Sequence, residues 1–235
     1  MTNTRRDHRW TPALGRWNSP GFYEWAMGLF SLADLPAQVG SALQCEKRSA
    51  VLDLGCGPGL LARWLLQTQL DLRVIGLDPD RRMLTRAAAN NPSGGAGWTE
   101  GLAQKLPFAD GAFDRIAVIF VLHHLTHAQK VSALAEGYRA LAPRGRLHIV
   151  DWTKPSGLAA AGFLLVRALD GFERTADHAE GRLYELVQGA GFEDLETLFE
   201  RDLLLGRIVH LRARKPEKLQ VEILPTELES AEAGL

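Results

Sequence analysis

Cysteine, net charge and long apolar runs are what this chain has least of. Its 235 residues include two cysteines, Cys45 and Cys56. That is too few for a disulfide framework, and they lack the paired CxxC spacing of a structural zinc site. The 27 Lys and Arg nearly balance 28 Asp and Glu, leaving a formal net charge of −1. No stretch gathers basic residues on one face, so nucleic acid is not an expected partner. Met1 to Trp10 is polar and basic with no apolar run behind it, unlike a secretory signal. The longest strongly apolar stretch, around Ala117–Leu122, is far too short to span a bilayer. Together these absences lead to the expectation of a cytoplasmic protein with no membrane span. Apolar residues are plentiful at 46%, enough for a sizeable core.

From about Ser49 to Val150, short β-rich runs alternate with helical patterns. The expected strands are Ala50–Leu54, Leu72–Asp78, Gly97–Glu100, Phe113–Leu122 and Arg146–Trp152. They are dense in Val, Ile and Leu, as parallel strands covered on both faces should be. Between them, Ala128–Leu141 places Val131, Leu134, Ala135, Tyr138 and Leu141 on one helical face and should stop at Pro143-Arg144-Gly145. Asp80 is a candidate N-cap for a helix running through Met83 to about Ala89. Such repetition implies an α/β fold with a doubly wound sheet.

The flanks differ. Residues 1–48 read as an N-terminal segment whose Phe22, Trp25, Ala26, Leu29 and Phe30 share helical spacing, suiting an edge helix or a lid. Residues 49–214 form the main domain, with a helical insert at about 153–178 and a helix carrying Leu183, Leu186, Val187 and Ala190, which Gly191 should end. Two further strands, Leu195–Leu204 and Arg207–Ala213, are joined so tightly at Gly206 that they must form an antiparallel hairpin. Residues 215–235 are Glu-rich with few aromatics and are expected to be a flexible acidic tail.

Chemistry concentrates in Val51-Leu52-Asp53-Leu54-Gly55-Cys56-Gly57-Pro58-Gly59, a buried strand running into a glycine-rich turn and then a helix. Glycines here let the backbone turn sharply and approach a ligand closely. Dinucleotide sites use a similar turn but want Gly or Ala three residues past its second glycine, where this chain has Leu60. Asp53 would also be a poor neighbour for a pyrophosphate. It suits a positively charged ligand, and S-adenosyl-L-methionine carries a sulfonium and an ammonium. The next strand closes on Asp78, 23 positions after Gly55, the range in which an acid accepts hydrogen bonds from ribose hydroxyls.

These segments resemble the class I S-adenosylmethionine-dependent methyltransferases, within the broad group that includes ubiquinone/menaquinone-biosynthesis-type enzymes. The resemblance is carried by VLDLGCGPG at 51–59, GLDPD at 76–80, LPFADGAFD at 106–114, VLHHL at 121–125 and LAPRGRLHIVDWTKP at 141–155. It implies a Rossmann-like seven-stranded sheet, mostly parallel with the last strand antiparallel. It also implies roles: backbone at Gly55, Cys56 and Gly57 around the methionine end, Asp53 toward the ammonium, Asp78 on the ribose, and Pro79 and Met83 beside the adenine. Relatives carry an acid where this chain has Leu102, so the adenine amino group needs another partner, while backbone at Leu102 and Ala103 still reaches the ring. Phe120 should sit near the transferable methyl.

In-line methyl transfer demands alignment above all, and a base only where the acceptor must lose a proton. The base candidates are His123, His124, His127, His148, His178 and Asp151, with His124 and Asp151 preferred because they end strands at the carboxyl edge of the sheet. His148, inside a strand, reads as core. Cys56 is not read as a nucleophile. The triplet His123, His124 and His127 has no acid or cysteine beside it, so no metal is expected. Trp25, Trp152 and Phe163 could line an apolar pocket. The expected activity is methyl transfer to a small apolar or aromatic acceptor on carbon, oxygen or nitrogen. The alternatives are a nicotinamide-dependent oxidoreductase and a cofactor-binding regulatory protein without catalysis.

Overall fold

The structure, a computed structural model, describes residues 32–68 and 70–217. The expected helix over residues 22–30, with Trp25, and nearly all of the acidic tail lie outside these. In chain order the elements are α1 (Leu35–Ala42), β1 (Ala50–Leu54), α2 (Leu60–Leu66), β2 (Arg73–Asp78), α3 (Arg81–Asn90), β3 (Ala96–Glu100) and β4 (Phe113–Ile119). A single 3-10 turn, Leu122–His124, follows. Then come α4 (His127–Ala140), β5 (Leu141–Thr153), α5 (Gly157–Asp170), α6 (Ala176–Glu180), α7 (Leu183–Gly189), β6 (Glu193–Leu203) and β7 (Gly206–Arg214).

The strands form one sheet in the order β3-β2-β1-β4-β5-β7-β6. Every pairing from β3 to β5 is parallel, and β7 runs antiparallel to both β5 and β6. Although β1 is buried along its whole length, its side chains still alternate. Ala50, Leu52 and Leu54 join the core under α4 and α7, while Val51 joins the opposite core under α1, α2 and α5. Two apolar layers on one sheet make the fold doubly wound, as expected. Chain order reverses between β1 and β4, so the loops leaving these strands diverge and open a crevice at their carboxyl ends.

Three local expectations need correction. The strand after Asp110 ends at Ile119, not Leu122, because Phe120 takes a φ of 54° that no strand accommodates. The helix before β5 stops at Ala140, and Pro143-Arg144-Gly145 falls within a register irregularity of β5, where Arg144 has a φ of 63°. The buried face of α4 is also rotated. Val131 and Ala135 are exposed, while Lys130, Ala133, Leu134, Gly137 and Ala140 are buried. Hydrophobic spacing missed this because Lys130 lies inside, its Nζ donating to Asp177 Oδ2 at 2.7 Å and to the Arg174 carbonyl at 2.5 Å. A buried charge is tolerated when it is paired and hydrogen-bonded in this way.

Candidate active site

The loop after β1 begins with two glycines, one required by packing and both by a left-handed backbone. Gly55 has a φ of 77°, and a Cβ there would lie 2.3 Å from Val121 Cγ2. Gly57 has a φ of 50° with nothing within 4 Å of the place its Cβ would occupy, so it is the open side of the turn. The turn is tied to the end of β2. Gly55 and Cys56 N–H both donate to the Leu77 carbonyl, at 2.7 and 3.0 Å, and Gly57 N–H donates to Asp78 Oδ2 at 2.9 Å. The other oxygen of Asp78 accepts from Asp80 N–H at 2.8 Å. Burial raises the Asp78 carboxyl to about 6 despite these two donors.

Asp78 stands on the wall of a cleft of about 800 Å³, counted with its open mouth. Leu54, Gly55, Gly57, Pro79 and Met83 line it on one side, and Leu102, Ala103 and Gln104 close the end beyond β3. Ile119, Phe120, Val121, His124 and Leu125 form the side supplied by β4. A smaller cavity lined by Asp53, Cys56, Leu35, Pro58 and Leu61 shares Gly55 and Ile119 with it.

Of the residues expected at the cofactor, Gly55, Gly57, Asp78, Pro79, Met83, Leu102, Ala103 and Phe120 therefore border the main cleft. Asp53 and Cys56 do not; they border the smaller cavity. Asp53 lies between Gly76 on β2 and Ala117 on β4, two residues small enough to leave its carboxylate room. Its Oδ2 is buried without a hydrogen-bond partner among the described residues, and burial, reinforced by Asp78, raises its carboxyl to about 7. Burial likewise pushes the Cys56 thiol well above its ordinary range, in keeping with its not being a nucleophile.

Asp151, expected to face the substrate, lies behind the turn that follows β4. It is fully buried and not among the residues lining the cleft, and both of its oxygens are engaged. One accepts from His123 Nδ1 and from Trp152 N–H, each at 2.7 Å; the other accepts from Leu122 N–H at 2.8 Å and His123 N–H at 3.3 Å. Burial alone would raise its pKa, but His123, His178 and these donors outweigh burial and hold the carboxylate well below the usual range. Asp151 thus pins the turn after β4. His124, by contrast, lines the cleft, and burial with the neighbouring His123 lowers its pKa.

The other histidines scatter. His127 pairs with Asp177 at 3.0 Å, and His148 meets His210 at 3.2 Å within the core. His178 is fully buried, and burial lowers it to about 3. Trp152 and Phe163 belong to the core under α5, Trp152 packing against Phe120 with ring centres 5.5 Å apart. Sequence reasoning missed two residues. Gln104 borders the cleft with a buried, unpartnered Oε1. Asp170, at the end of α5, places Oδ1 3.3 Å from His124 Nδ1 and Oδ2 3.8 Å from His123 Nε2. That is the acid the local sequence around the histidines lacked, and it brings His123, His124 and Asp170 together.

Residues 51–145 match the methyltransferase domain family. An uncharacterized methyltransferase of Synechocystis is 40% identical over 106 residues, covering 45% of this chain and 48% of that protein. The ubiquinone/menaquinone biosynthesis C-methyltransferase UbiE of Desulfotalea psychrophila is 32% identical over 177 residues, covering 67% of this chain and 70% of that one. This chain is a class I S-adenosylmethionine-dependent methyltransferase by family. It spans about half the length of several of its curated relatives. Phosphoethanolamine N-methyltransferase 2 of Haemonchus contortus, solved with S-adenosyl-L-methionine, shares the fold with a TM-score of 0.66 at 16% identity, covering 84% of this chain and 56% of that one. No helix among the described residues is long and apolar enough to cross a membrane.

The cofactor of this family is S-adenosylmethionine, and the methyltransferase's residues fit it. The Asp53 carboxylate, whose Oδ2 has no partner among the described residues, offers a counter-charge beside the glycine turn, and the unpartnered Gln104 Oε1 offers an acceptor at the far end. Met83, Leu77 and Leu102 supply apolar wall between them.

Proposed function

We propose that the chain transfers a methyl group from S-adenosylmethionine to a small apolar or aromatic acceptor by in-line displacement. The observation that carries this reading is the buried carboxyl of Asp53 set against a glycine turn, its Oδ2 without a partner among the described residues: burial favours the neutral acid, and a bound cation would favour the ionised form. When bound, the cofactor supplies a methyl carbon already activated by a sulfonium. The chain's own work is then positional. Asp53 holds the amino-acid ammonium, and Asp78 accepts from the ribose hydroxyls with lone pairs its two backbone donors leave free. Met83 and Leu102 flank the adenine. Gln104 Oε1 takes the place of the absent acid by accepting from the adenine amino group.

The acceptor side is the wall formed by Phe120, Val121, His124 and Leu125. Phe120 is held at a positive φ by its N–H bond to the Val150 carbonyl at 2.8 Å and by Trp152 behind it, and such strain persists where the surroundings over-determine it. A rigid wall helps alignment, which is worth roughly 7–11 kcal/mol in well-oriented reactions. His124, with its lowered pKa, presents a neutral ring to the acceptor at neutral pH. The UbiE relative is named for carbon methylation in quinone biosynthesis, which makes hydroxylated aromatic rings the acceptors to try first.

Thermal-shift and calorimetric titration with S-adenosylhomocysteine and, separately, NADH tests the cofactor half, since only a ligand bound to the folded chain stabilises it. Stabilisation by the former alone is expected; stabilisation by NADH alone overturns the reading in favour of an oxidoreductase. Release of labelled methyl to a hydroxylated aromatic acceptor then separates an enzyme from a regulatory binding protein.

A further inference from the structure

The acid that α5 brings to the histidine turn creates a cluster that methyl transfer by itself does not explain. One ring nitrogen each of His123 and His124 and an Asp170 oxygen lie within 4.8 Å of one another. His123 and Asp170 are buried, and the His124 side chain is 17% exposed where it borders the cleft. Asp170 faces both rings, 3.8 Å from His123 Nε2 and 3.3 Å from His124 Nδ1, and the second contact is not aligned as a hydrogen bond.

We propose that His123, His124 and Asp170 hold a divalent transition-metal ion at the wall of the methyl-transfer cleft, with Asp151 orienting His123 from behind. Two imidazoles and one carboxylate form a ligand set that leaves coordination positions open. The bond from His123 Nδ1 to Asp151 at 2.7 Å is the outer carboxylate that metal-ligating histidines commonly have, and it presents Nε2 as the free lone pair. Asp170 is the last residue of the fourteen-residue α5, and the carboxyl end of a helix favours a cation. Bond lengths near 2.1 Å place neighbouring ligand atoms roughly 3.3 Å apart, so modest side-chain rotations close the observed spacing. All three ligands come from the turn after β4 and from α5, so the ion stands on the acceptor side, next to His124. Resting on the methyltransferase reading, the inference names the substrate class: an acceptor bearing a hydroxyl beside the carbon or oxygen to be methylated. That hydroxyl would occupy an open position and be acidified by the ion.

The test uses the full chain, stripped with a chelator and titrated with Co²⁺ and Zn²⁺ alone. Expected are a single bound ion per chain and visible ligand-field bands for Co²⁺ that show nitrogen and oxygen ligation. Asp170→Asn, which keeps the side chain's shape, and His124→Ala should each weaken binding at least tenfold while circular dichroism stays unchanged. A wild-type chain that binds neither ion, or two folded variants that bind both as tightly as wild type, overturns the proposal. The wild-type spectrum decides even if a variant fails to fold. Because the titration contains no cofactor, a chain that binds Co²⁺ yet ignores S-adenosylhomocysteine refutes the methyl-transfer reading and not the metal site.

Discussion

The two sides of the cleft are built differently. On the β1–β3 side, the cofactor side, each contact comes from a strand end and the few residues after it. Asp78 reaches Gly57 and Asp80 through backbone N–H groups, and the glycine turn leans on the Leu77 carbonyl. On the β4–β5 side, side chains far apart in sequence meet: Asp151 with His123, Asp170 with His124, and Asp177 with Lys130. A site made from local backbone is cheap to specify by motif, whereas one made from distant charges depends on helices packing correctly. The first should tolerate change in its surroundings and fail only in affinity. The second should fail in stability.

The sharpest way to break this contrast is Asp151→Ala. Removing a fully buried carboxylate strands its donors and His123, so we expect a loss of about 3–5 kcal/mol in unfolding free energy. Urea titration that shows a loss below about 1 kcal/mol would mean the β4–β5 side is not held by that charge. Next in size, Asp78→Ala should weaken S-adenosylmethionine binding at least tenfold, about 1.4 kcal/mol, with little change in fold. Unchanged affinity by calorimetry removes Asp78 from the ribose.

The third prediction concerns pH. Asp53 is raised to about 7 and Asp78 to about 6, so in the free chain both favour the folded state at low pH, and that contribution fades as pH climbs from about 4 through 7. A bound ammonium favours ionised Asp53. Affinity for S-adenosylhomocysteine should therefore rise severalfold between about pH 6 and pH 8, and Asp53→Asn should flatten the curve. A wild-type curve as flat as the variant's would detach Asp53 from the ligand. Smallest is Gln104→Ala, expected to cost about 0.5–1.5 kcal/mol of cofactor affinity. An analogue with inosine in place of adenosine should be indifferent to that substitution; equal losses for both ligands would show that Gln104 does not meet the amino group.

Strand positions were largely legible, because Val- and Ile-rich runs between glycine turns have few other places to go. Observed β1 matches the expected Ala50–Leu54, and β2 and β3 differ from expectation by a residue each. The glycine turn and Asp78 were legible for the same reason, since their geometry follows from residues within a strand and its turn. Lys130 and Asp170 were not. Nothing near Lys130 in sequence announces Asp177, and Asp170 sits 46 positions after His124 inside an apolar helix. Asp151 was legible near the end of β5, but its partners were not, because strand alternation alone does not say which face is filled by a turn's own N–H groups.

By itself, then, the order of residues determined the doubly wound sheet, the antiparallel hairpin and the glycine turn with its acid, all set by short-range sterics and by the burial that parallel strands require. Which carboxylate meets which imidazole was decided only when β5, α5 and α6 packed against the turn after β4 and the start of α4. Charge–charge contacts depend on distance in space, and a linear pattern of spacings carries no information about separations closed by tertiary packing.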